Sequence, residues 1–145
     1  MIKEIELIRY VRKNILALID TLSLEQLNEV TEKFNNNIPW NLAHLVITQQ
    51  NMDYKLGGMP LTSGIEWFAE FAPGTKPGRQ LSQGEIVVIK HSLGTSVDKF
   101  EQDYHKGKFI SYTPWSLHGI MDVYSVEDAI KITCVHEGRH YGIIT

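Results

Sequence analysis

The chain has 145 residues, a formal net charge of −3 and charged side chains mixed along its length. That size suits one domain spanning residues 1–145 with a single core, and the absence of a basic stripe argues against nucleic acid as a partner. One cysteine, no apolar run near the roughly 20 residues of a membrane span, and a charged start at Met1-Ile2-Lys3-Glu4-Ile5-Glu6 lead us to expect a soluble, cytoplasmic protein with no membrane partner.

Four long helices are expected. Ile5, Ile8, Val11, Ile15, Leu18 and Leu22 recur at threes and fours, which makes the first an amphipathic helix from about Ile2 to Leu22. Ser23-Leu24-Glu25-Gln26 reads as a capping box opening a short extra turn. The second helix starts near Pro39, with Asn37 as its cap, and the stripe Leu42, Leu45, Gln49, Met52, Leu56 carries it to Gly57-Gly58. About 25 residues without helical period follow, Gly57 to Leu81. They hold Trp67, Phe68 and Phe71, which act either as a functional lid or as a cover for one end of the core.

Ser82-Gln83-Gly84-Glu85 is a second capping box. It opens a third helix with the stripe Ile86, Ile89, Leu93, Val97, Phe100. A second irregular stretch, His105 to Tyr124, carries Tyr112, Pro114 and Trp115, with weak strand-like alternation around Phe109 to Tyr112. Ser125-Val126-Glu127-Asp128 resembles a third box and opens the last helix, whose seam is Val126, Ala129, Thr133, His136, His140, Ile143. The long connections permit a crossover in a four-helix bundle.

His136-Glu137-Gly138-Arg139-His140 is the most informative stretch. At about 100° per residue the two imidazoles point only about 40° apart, so they can hold one metal ion. The string also fits the H-E-x-x-H pattern of zinc peptidases. A zincin takes its third ligand from downstream, however, and Tyr141 to Thr145 offer none, so the expected third ligand lies upstream. His44, among apolar neighbours in Trp40-Asn41-Leu42-Ala43-His44-Leu45, is either that ligand or a hydrogen-bonded core residue. With it, three imidazoles would leave an open position, as catalytic zinc sites do. His91 falls beside its helix stripe, and His105 and His118 lie in loops. Cys134, about 200° around the helix from His136, reads as an apolar filler. Glu137, about 100° from His136, reads as an exposed charge, with a metal-supporting or base role as the alternative. No nucleotide-binding or serine-hydrolase motif is present.

The order of parts resembles the DinB/YfiT-like family: Trp-Asn-Leu-Ala-His-Leu opening the second helix, Phe-Ala-Pro-Gly-Thr-Lys-Pro at 71–77, Ser-x-x-Glu opening the third, and His-Glu-x-x-His on the last. The resemblance spans essentially the whole chain. It implies an all-α, up-down-down-up four-helix bundle with a crossover, and nickel or zinc on His44, His136 and His140. It also implies a homodimer, and a metal-dependent thiol transferase or hydrolase acting on a small molecule, such as a low-molecular-weight thiol. Trp67, Phe68, Phe71, Tyr112 and Trp115 would contact that substrate. The alternative is a non-catalytic metal-binding or dimerisation module. Two features depart from the family pattern: the last helix stops soon after its second histidine, and Ile143 stands where many members carry glutamine.

Overall fold

The computed structural model describes residues 2–145. Among these residues, five α-helices and one small hairpin make an all-α architecture. Helix α1 (Lys3–Ile19) buries Ile5, Ile8, Arg12, Ile15 and Ile19, one face at alternating spacings of three and four. It ends three residues before Leu22, and Leu18 turns out towards water while Ile19 turns in. The buried stripe therefore carries an arginine that apolar periodicity does not reveal.

Helix α2 (Leu24–Asn28) forms the expected extra turn, with the reciprocal Ser23–Gln26 capping box in place. Helix α3 (Ile38–Gln49) is capped by Asn37, whose side chain accepts the Trp40 N–H at 3.0 Å. Every residue from Pro39 to Ile47 is buried, so α3 is the central helix rather than an amphipathic one. It continues as a π-helical segment, Gln50–Lys55, where an unbroken α-helix was expected. Gln49, Gln50, Met52, Asp53 and Tyr54 are all buried. The widened turns thus continue the fully enclosed stretch of α3. The segment closes at Gly57, where an added Cβ would lie 2.3 Å from the Asp53 carbonyl, and at Gly58, which is left-handed at φ 70°.

Helix α4 (Gln83–His105) opens with the expected Ser82–Glu85 box. His105 is its last residue rather than part of a loop, and both His91 and His105 are exposed. Helix α5 (Val126–Ile144) is capped by the Ser125 hydroxyl, which accepts the Asp128 N–H at 3.1 Å. Asp128 does not complete a box; its carboxylate accepts from the Tyr124 N–H instead. The second irregular stretch contains an antiparallel hairpin, β1 (Trp115–Leu117) with β2 (Met121–Val123), turning at His118 and Gly119 with positive φ at both. The alternation at Phe109 to Tyr112 forms no strand.

Each long helix packs against two others: α1 on α4 and α5, α3 on α4 and α5. The main apolar cluster joins the end of α1, α3 and the first half of α4, with Phe71 and Leu81 from the long loop. A second joins Ile5, Ile8, Tyr54, Val97, Phe100, Val126 and Ile130, and a small third lies under the hairpin. No helix among the described residues is long and apolar enough to cross a membrane.

Candidate metal centre

His136 and His140 sit one turn apart on the inner face of α5, and His44 sits on the facing turn of α3. The three ring centroids are 4.5, 5.0 and 5.1 Å apart. One nitrogen from each lies within 4.8 Å of the others. The His44 and His136 Nε2 atoms are 3.2 Å apart, close to the roughly 3.3 Å expected of two imidazole nitrogens on one tetrahedral zinc. No cysteine or carboxylate joins the group among the described residues.

Neighbouring carbonyls set the orientation of two rings. His44 Nδ1–H donates to the Phe71 carbonyl at 2.8 Å. His140 Nδ1–H donates to Asn41 Oδ1 at 2.6 Å. Asn41 cannot be flipped, because its amide nitrogen donates to the Asn37 carbonyl at 2.8 Å and to Asn36 Oδ1. Both rings therefore keep Nε2 as a bare acceptor facing the cluster. Metal-binding histidines are held in this way, by an outer hydrogen bond that fixes the tautomer. Trp40 stacks on His44 at 4.6 Å and 12°, and its Nε1–H is held by Thr75 Oγ1 at 3.1 Å. The Phe71–Thr75 loop thus positions the His44 and Trp40 rings.

Burial, ahead of any charge effect, holds all three imidazoles below their usual range, His136 at about 3 and His140 at about 4. They are neutral near pH 7, as metal ligands must be. The unfolded chain binds protons at these histidines near pH 6.5 and the metal-free folded chain does not. Stability of metal-free protein is expected to be fully present above about pH 6.5 and to fall progressively towards pH 3. Urea midpoints against pH check this. A His136→Gln/His140→Gln double variant should lose less on acidification, and an identical acid loss would refute the assignment.

The histidines open on a cleft of about 370 Å³, shared with Trp40, Thr48, Met52, Trp115 and Arg139 and lined by no carboxylate. Of the five aromatic residues expected to contact substrate, Trp115 alone lines this cleft. Phe71 is buried in the main core, and with Trp67 it walls a separate cavity beside Arg79. Phe68 packs on the same core. Tyr112 braces the wall: its hydroxyl donates to the Met52 carbonyl at 2.9 Å and accepts from Trp115 Nε1–H at 3.0 Å. The aromatic rings of the first loop thus cover the core, while its Pro73 and Gly74 line the cleft.

Glu137 is not an exposed charge. It is 1 % exposed and points away from the cleft into the bundle, where its Oε1 accepts from Arg12 Nε at 3.0 Å and Nη2 at 2.5 Å. Cys134 is half-buried with its thiol towards the Glu4 carbonyl, and burial lifts it to about 11, which leaves it an inert filler. His118 sits exposed in the hairpin turn.

Asn41 was not singled out by sequence, though its place three residues before His44 put it on the same helical face. Asn41→Ala removes the partner of His140 and is expected to weaken metal affinity about 10–100-fold. Competition with a chromophoric chelator measures it; unchanged affinity would show that Asn41 does not orient the ring.

A family model for the DinB superfamily matches residues 7–144. No curated protein matches the chain.

Proposed function

The chain belongs to the DinB superfamily, and on that footing we propose that it is a divalent-metal-dependent enzyme acting on a small molecule by thiol transfer or hydrolysis. His44, His136 and His140 are the proposed ligands, with nickel or zinc as the ion. The observation that carries this reading is the convergence of three neutral imidazoles, two with their outer nitrogens already hydrogen-bonded, on an open cleft. A divalent ion there would supply Lewis acidity, making a water or thiol in its open position a nucleophile near neutral pH.

The protein's part is positioning. Phe71 and Asn41 fix the rings of His44 and His140. Trp40 and Met52 give the cleft apolar walls that limit water, and Trp115, braced by Tyr112, closes one side. The Thr48 hydroxyl, 3.4 Å from His44 Nε2, faces the same space. Glu137 is committed to Arg12, so the peptidase role that the His-Glu-x-x-His string suggests is unsupported. An open cleft and a ligand set of three favour an enzyme over a structural clamp, whose fourth position a protein side chain would fill.

The test is a panel of low-molecular-weight thiols with an electrophilic acceptor, alongside a panel of activated esters, using tag-free protein loaded with zinc or nickel. Metal-dependent turnover of either class that disappears in His44→Ala supports the reading. Fully metal-loaded protein inert towards both panels would favour the non-catalytic module.

A further inference from the structure

A second cleft, about 330 Å³, runs between the hairpin and the outer face of α5. Its walls are apolar: Leu117, Ile120, Met121, Ile132 and Val135. It is not separate from the histidine cleft, because Leu117, Ile132, His136 and Arg139 line both. A molecule with one end at the histidines can therefore lay its other end along the hairpin. Ile120 is 83 % exposed and Val135 75 % exposed. Clustered apolar exposure of this kind at the mouth of a polar site marks a binding surface.

Charge narrows the occupant. Neither cleft is lined by an aspartate or glutamate. Lys131, at the groove edge, is paired with Asp128 at 3.6 Å. Arg139 stands at the junction of the two clefts, and among the described residues it has no ion pair and no side-chain hydrogen bond. An unpaired guanidinium beside an apolar groove, with no competing carboxylate, complements an oxyanion carried on a hydrocarbon group.

We propose that the substrate is a small organic acid, with its anionic group held by Arg139 and its apolar chain or ring lying in the groove between the hairpin and α5. This rests on the reading of the histidines as the reacting centre, and it names the substrate class that reading leaves open. A groove of this size fits a small ligand. Its continuity with the histidine cleft through His136 favours substrate over a second copy of the chain.

The probes are 4-phenylbutyrate, 4-phenylbutan-1-ol and 4-phenylbutylamine, titrated calorimetrically into the purified protein, whose metal content is measured separately. The acid should bind roughly tenfold more tightly than the alcohol, the size expected of one hydrogen-bonded charge pair, and the amine weakest. Arg139→Gln should erase the preference for acid over alcohol with metal content and melting temperature unchanged. Val135→Asn, at an exposed position, should weaken the acid and the alcohol together. Equal affinities for the three probes, no binding of any, or an acid preference that survives Arg139→Gln would overturn the proposal. So would a dimer that Val135→Asn dissociates, because a second copy would then cover the groove. Protein that takes up no zinc or nickel on loading and still prefers the acid would refute the metal reading alone. Metal-loaded, active protein indifferent to the acid would refute this inference alone.

Discussion

Arg12→Ala is expected to destabilise the fold by about 3–5 kcal/mol, the cost of removing one partner of a buried ion pair. Arg12 and Glu137 are each 1 % exposed. Beyond its two bonds to Glu137, Arg12 donates through Nη1 to the Leu93 carbonyl at 3.1 Å and to Ser96 Oγ at 2.8 Å. One side chain of α1 thus ties α4 and α5 together at the bundle centre. Truncation would leave the Glu137 carboxylate in an apolar interior beside Asp53, whose own carboxyl burial already pushes well above the usual range. Typical domains are stable by about 5–15 kcal/mol, so the loss is a large fraction. Urea denaturation of Arg12→Ala measures it. The double variant Arg12→Met/Glu137→Leu should recover much of the loss, because an apolar pair of similar volume avoids the buried charge. A loss under about 1 kcal/mol in Arg12→Ala would show the pair to be no more than a surface-type contact.

The same pair separates two meanings of the His-Glu-x-x-His string. Were Glu137 a general base, Glu137→Gln would cost activity and spare stability. In this structure it should do the reverse: lower the urea midpoint and leave the metal bound.

Much of this was legible in the sequence. Caps at Asn37, Ser23 and Ser82 and the apolar stripe of α4 gave helix positions to within a few residues, since those signals are local. The His44, His136, His140 group was reachable from helical spacing together with the resemblance to a known family. What stayed hidden depends on tertiary partners. Arg12 and Glu137 each look like solvated charges, because burial becomes tolerable only when α1 and α5 bring them together. The π-helical turn is invisible to a periodicity that assumes 3.6 residues per turn. The role of the 71–77 loop lies in the Phe71 carbonyl and in a Thr75 hydroxyl that meets Trp40, tertiary partners that no local pattern records. The hairpin strands are three residues each, too short for alternation to register.

The second large effect is on metal. His140→Ala and His136→Ala each leave two imidazoles, which hold a divalent ion weakly, so each should abolish stable binding. Metal binding to the folded state alone stabilises it by about 2.7 kcal/mol when free ion is 100-fold above its dissociation constant. A chelator should therefore lower the melting temperature of the wild-type chain by several degrees and leave the two variants unmoved. An unchanged wild-type melting curve after confirmed metal removal would count against an ion shared between α3 and α5.

The most direct measurement is elemental analysis of tag-free protein after exhaustive dialysis, wild type beside His44→Ala, His136→Ala and His140→Ala. The account predicts about one zinc or nickel ion per wild-type chain and almost none in each variant, as a three-histidine site requires. Wild-type protein without metal after zinc or nickel loading, or full occupancy in any one of the three variants, would contradict it.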